Sequence, residues 1–107
     1  MTNELVWLQE WYRAQCDDEW EHSYGVRIDT LDNPGWSVKI DLKGTRLEHV
    51  DITPVVRENG PDDWVQIRVE NSQFVGYGDP QKLIVILATF REWAQHASSV
   101  TVQPSRR

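Results

Sequence analysis

The apolar positions of this chain recur first at helical spacing, then at every second residue, then at helical spacing again. Between residues 4 and 16, Leu5, Leu8, Trp11, Tyr12 and Cys16 fall on one stripe, with Trp7 at its edge and Glu10 and Arg13 opposite. Asn3 or Thr2 supplies the N-cap, and Glu4 suits the positive end of the helix dipole. Two acids in a row, Asp17 and Asp18, oppose the negative end and predict that the helix stops there.

Alternation then takes over. Tyr24, Val26 and Ile28 alternate with Gly25, Arg27 and Asp29, and Trp36, Val38, Ile40 and Leu42 alternate with Ser37, Lys39, Asp41 and Lys43. Asp32-Asn33-Pro34-Gly35 between them is turn chemistry, so the pair predicts a β-hairpin with one apolar and one polar face. Gly44-Thr45 permits a second reversal. Residues 46–57 read as a third strand whose shift from Leu47 to Val50 and Ile52 suggests a bulge, with Pro54 at a sheet edge. Residues 58–63 form a loop, Trp64 to Glu70 a strand, Asn71-Ser72 a turn, and Gln73 to Tyr77 a short strand. Asp79-Pro80 then has the form of a helix start. Leu83, Ile86, Leu87, Phe90, Trp93, Ala94 and Ala97 make the apolar stripe of that helix. The run Leu83 to Leu87 also suits a buried strand, but the period continuing through Trp93 favours helix. The expected architecture is α+β: an antiparallel β-meander of four to five strands, covered on one face by N-terminal and C-terminal helices. Residues 1–97 form a single domain in this reading, and residues 98–107 a polar, flexible tail.

Composition sharpens the picture. At 107 residues the chain supports one core, burying roughly two-thirds of its unfolded surface without metal or disulfide staples. The one cysteine, Cys16, excludes an internal disulfide, and no Cys/His group has zinc-ligand spacing. No basic n-region leads into an apolar run at the N-terminus, and no apolar stretch is long enough to span a bilayer. The expected location is therefore cytoplasmic. Residues 1–32 hold eight acids and two bases, whereas residues 33–107 hold nine of each, so the whole net charge of −6 sits at the N-terminal end. Such a surface repels phosphate backbones and attracts a basic protein, which argues against nucleic acid as partner.

Candidate chemistry is sparse. Cys16 lies on an apolar stripe before three acids, a setting for a structural cysteine and not for a nucleophile. His22, His49 and His96 are scattered, without a triad arrangement. The segment Asp17, Asp18, Glu19, Trp20, Glu21, His22 lacks the spacing of a calcium loop and reads as a solvated acidic stretch. Gly76 to Pro80 lacks any phosphate-loop pattern and reads as a strand-to-helix turn. No cofactor is implied. Six tryptophans, at positions 7, 11, 20, 36, 64 and 93, exceed what a core this small needs. Trp20, within a polar segment, either tucks over the core edge or stands as an interface anchor inside a ring of charge, two readings of equal weight. Arg27, Asp29, Lys39, Asp41, Arg68 and Glu70 line the polar strand faces, as cross-strand ion pairs or as a second docking surface.

Several of these segments resemble a known family. Trp7-Leu8-Gln9-Glu10-Trp11-Tyr12 with Gln15-Cys16, Trp20-Glu21-His22-Ser23-Tyr24-Gly25, Leu31-Asp32-Asn33-Pro34-Gly35-Trp36, and Asp41-Leu42 with Gly44-Thr45 are similar to immunity protein 53 of bacterial polymorphic-toxin systems. Trp64, Glu70-Asn71, Phe74, Gly76 and the helix with Phe90 and Trp93 extend the likeness over residues 7–94. The resemblance implies a small cytoplasmic antidote that binds and neutralises a cognate protein toxin, with no catalytic residue carried over. The localised charge and Trp20, not the resemblance, make Asp17, Asp18, Glu19, Trp20, Glu21 and His22 the expected contacts. The alternatives are a thiol-dependent enzyme of sulfurtransferase type, built on Cys16 and His22, and a structural homo-oligomeric domain. A sulfurtransferase needs an activated cysteine in a loop rich in N–H donors and cations, which Cys16 before Asp17-Asp18-Glu19 does not offer.

Overall fold

Asn3 opens the first helix, its Oδ1 accepting from the N–H groups of Leu5 and Val6 at 2.9 and 3.1 Å. In the computed structural model, which describes residues 3–102 and side chains through residue 97, this helix is α1, Glu4–Gln15. Thr2, the alternative cap, lies outside the described residues. Cys16 caps the C-terminal end, where the acids that follow end the helix as expected. A single turn, α2 (Trp20–Ser23), leads into the hairpin of β1 (Val26–Leu31) and β2 (Gly35–Asp41), with a cis Asn33–Pro34 peptide bond in its connection. Then follow β3 (Val55–Glu58), β4 (Trp64–Glu70), β5 (Gln73–Gly78) and α3 (Leu83–Val102).

All strand pairs are antiparallel, in the order β1-β2-β5-β4-β3. The α+β class holds, but the strands do not run as one sequential meander: β5 returns between β2 and β4. The last strand of the chain is thereby the most central and the most buried, with Phe74, Val75 and both glycines covered. Residues 46–54 are not strand. Thr45 Oγ1 accepts from the Leu47 N–H at 3.1 Å and its hydroxyl donates to the Leu42 carbonyl at 2.7 Å, folding the segment into turns that drop Leu47 into the core. What remains of the expected third strand is the four-residue β3 after Pro54, at the sheet edge.

One sheet face presents Val38, Ile40, Phe74, Val65 and Ile67 to the helices, and α3 answers with Ile86, Leu87, Phe90, Ala94 and Ala97. Gly76 lets the two layers close, because a Cβ there would stand 2.5 Å from Ile86 Cγ2. The helix α3 continues through residues 98–102, where a flexible tail was expected to begin. Residues 103–107 of that tail lie outside the described residues. The start of α3 also differs from expectation. Asp79 is fully buried and caps no long helix: its Oδ2 accepts from the Trp64 N–H at 2.8 Å and its Oδ1 from the Gln81 N–H at 2.8 Å. Lys82 Nζ bridges Asp79 at 2.6 Å and Asp63 at 2.8 Å, and only then does the helix begin.

The inward stripe of α1 is rotated from the expected one. Trp7, Leu8 and Trp11 face the core, with Trp7 and Trp11 edge-on to Phe90 at 5.8 and 5.1 Å, while Leu5 and Tyr12 are exposed. Helix α1 packs mainly on α3 and not on the sheet, so the large rings that reach Phe90 set its rotation.

Candidate functional site

The acidic segment after α1 is a structured turn. Asp17 Oδ1 accepts from the N–H groups of Glu19 and Trp20 at 3.0 and 2.9 Å, and these bonds hold its carboxyl below the usual carboxylate range. Glu21 answers in the reverse direction, its two oxygens accepting from the N–H groups of Asp17 and Asp18 at 3.0 and 2.9 Å. This is the reciprocal logic of a capping box, each acid satisfying the orphan donors of the other's end. Asp18 takes a left-handed conformation, φ 78°, which a short Asx side chain tolerates. Asp18, Glu19 and His22 point to solvent, and Glu21 is half-buried.

Trp20 is buried at 6% exposure, which decides between the two readings of its role. Its Nε1–H donates to the Lys43 carbonyl at 2.7 Å, and its ring packs against Trp11, Tyr12 and Tyr24 at 6.2, 6.1 and 6.0 Å. Its place among the surface contacts is therefore corrected: the indole lies beneath the acidic turn and fixes it to the loop after β2. Through Trp11 the ring chain continues to Phe90, Phe74 and Trp93 in the core.

The six polar-face residues do share one surface. Arg27, Asp29, Lys39, Asp41, Arg68 and Glu70 all alternate with core-facing positions and lie on the sheet face away from the helices. Four of the six form ion pairs, while Asp29 and Lys39 form none among the described residues. Arg68 Nε meets Glu70 at 2.8 Å within one strand, and Arg27 lies 3.9 Å from Asp41 across two. Asp41 is buried and structural, accepting from the Gly25 N–H at 2.9 Å and the Gln73 amide at 2.8 Å. Lys39 and Arg68 flank Val75, which is 2% exposed despite standing on the open face.

Cys16 is half-buried, and its Sγ donates to the Tyr12 carbonyl at 3.4 Å, the contact of a satisfied helix-end thiol. Among the described residues no group of His, Cys, Asp and Glu is arranged to hold a metal, and no helix is long and apolar enough to cross a membrane. The Asp63–Lys82–Asp79 cluster escaped sequence reasoning. Its only signal was Asp79 and Lys82 three residues apart, and the third member comes from a loop sixteen positions before Asp79.

Fold and surface together define an α+β domain that presents a hydrogen-bonded acidic turn and an open, mixed-charge sheet face. The chain belongs to the immunity protein 53 family, whose model matches residues 5–95, as the resemblance implied. That membership supports an immunity role and implies a toxin as partner. No curated protein and no solved structure matches the chain.

Proposed function

We propose that this chain neutralises a cognate toxin by covering it with a preformed surface in the cytoplasm, without making or breaking bonds. The contact is the acidic turn, through Asp18, Glu19 and His22, with Asp17 and Glu21 adding charge while shaping the backbone. The observation that carries this reading is the hydrogen bonding of the turn, by reciprocal capping above and the Trp20 indole below. A charged surface that is already ordered loses little conformational entropy on docking, and an acidic one speeds the approach of a basic partner. The open sheet face is a weaker candidate, because its three bases and three acids leave it with no net charge to attract a basic partner.

The test removes charge without disturbing the turn. Asp18→Asn with Glu19→Gln keeps side-chain shape, and Asn tolerates the left-handed backbone. Affinity for the cognate toxin, sought as the product of the adjoining gene, is expected to fall on the order of tenfold at low salt. Unchanged affinity would remove the turn from the interface. Turnover of a small substrate, abolished on replacing Cys16 or His22, would instead establish the enzymatic alternative.

A further inference from the structure

The two sheet edges are unlike. Strand β3 is short and preceded by Pro54, an ordinary way of blunting an edge. Strand β1 runs six residues with no proline and leaves its outer side unpaired. The Gly25 carbonyl accepts from the Asp41 N–H at 3.0 Å, so Gly25 and, by alternation, Arg27, Asp29 and Leu31 direct their backbone groups toward β2. Val26, Ile28 and Thr30 therefore direct theirs outward, free for another strand.

We propose that β1 pairs with β1 of a second copy, joining two five-stranded sheets across a two-fold axis at Ile28. The outward backbone groups restrict an antiparallel partner to registers that set Val26, Ile28 and Thr30 opposite one another. A two-fold at Arg27 places arginine on arginine, and one at Asp29 places aspartate on aspartate. The register centred on Ile28 pairs Ile28 with its mate, Val26 with Thr30, and Arg27 with Asp29 twice over, by symmetry. The Arg27–Asp29 positions then fall at non-hydrogen-bonded sites, where facing side chains come closest. Both residues are available. Asp29 is exposed with no ion pair among the described residues, and Arg27 holds only the long contact to Asp41. The helix side of the same edge is apolar: Leu5, 56% exposed, and Tyr12, 39% exposed, share a shallow pocket with Gly25 and Val26. A second copy at β1 accounts for both exposed groups.

Sedimentation over a concentration series tests this on the isolated protein, with no toxin present. The wild type is expected to show a monomer–dimer equilibrium. Arg27→Asp alone and Asp29→Arg alone each turn two attractive pairs into two repulsive ones, and each is expected to weaken the dimer on the order of tenfold. Mixing the two variants restores opposite charges at both pairs, so a heterodimer of wild-type strength is expected. That recovery also shows both variants to be folded. A wild type that stays monomeric to millimolar concentration overturns the proposal, and leaves the edge to a strand of some other protein. So does a dimer indifferent to both single variants, or a weakened pair that mixing fails to restore.

Discussion

Trp20 sits where the acidic turn, α1 and the loop after β2 meet, and its two kinds of contact are separable. Replacing it with alanine removes the ring stack on Trp11, Tyr12 and Tyr24 together with the bond to the Lys43 carbonyl. A loss of about 3–5 kcal/mol is expected in urea unfolding. Trp20→Phe keeps most of the packing but loses the bond to the Lys43 carbonyl, and about 0.5–1.5 kcal/mol is expected. Equal losses for the two variants would show the ring packing to contribute little, and no loss for Trp20→Phe would show the indole N–H to be unimportant. Asp79 makes a second prediction at this scale. The Lys82 ammonium, helped by the N–H groups of Gln81 and Trp64, outweighs burial and lowers its carboxyl to about 2. A group depressed in the folded state contributes fully above its unfolded value near 4 and ceases to contribute as pH falls toward 2. Lys82, raised by Asp63 and Asp79, contributes in the opposite sense, at every pH below its ordinary value and less once pH climbs past the raised one. The cluster therefore stabilises the fold across the whole neutral range. Asp79→Asn is expected to lower the melting temperature at pH 7 and to flatten its decline between about pH 4 and pH 2. An acid limb as steep as wild type would place that decline on other carboxylates.

Between elements, α3 lies close on β5. Gly76→Ala drives a methyl group to 2.5 Å from Ile86 Cγ2, in the middle of the fully buried layer. Overpacking of this kind costs about 1–3 kcal/mol. Gly25 has open space where its Cβ would go, so Gly25→Ala serves as the control and is expected within about 0.5 kcal/mol of wild type. Chemical denaturation of the two variants decides whether the layer spacing is set by the glycine or by the side chains around it. The periodic elements were legible in the sequence because local pattern alone determines them: α1, the β1–β2 hairpin, β4, β5 and the stripe of α3 all lie close to where alternation and helical spacing put them. What pattern could not supply came from long-range contacts. The insertion of β5 between β2 and β4 depends on pairings some 40 residues apart, and the loop character of residues 46–54 depends on Leu47 finding the core. The rotation of α1 follows from which of its rings reach Phe90, and Phe90 lies near the other end of the chain. Of the candidate site, the acidic run was plain in the sequence. The division of labour within it was not, because Asp17 and Glu21 look like Asp18 and Glu19 until the backbone N–H groups are placed.

At the scale of the whole molecule, charge is unevenly distributed along the chain. The excess of −6 belongs to residues 1–32, which build α1, the acidic turn and β1, while the rest of the chain is neutral. A toxin with a basic site therefore meets an asymmetric field, and the ordered turn is its most concentrated source. Such a field acts mainly on the rate of encounter, because the Debye length of about 10 Å at 0.1 M salt lets it reach beyond contact only in dilute buffer. Dissociation depends instead on what is packed and desolvated once the two surfaces have closed. Association with the cognate toxin is thus expected to slow steeply as salt rises, while dissociation changes little. Asp18→Asn with Glu19→Gln should make the salt dependence of association shallower. Replacing Arg68 and Glu70 together on the open face, where the pair already neutralises itself, should leave that dependence as it was. Stopped-flow association at several ionic strengths separates these outcomes. If the Arg68/Glu70 variant flattens the curve and the Asp18/Glu19 variant does not, the toxin docks on the sheet, and the acidic turn serves only to close the corner between α1 and β1.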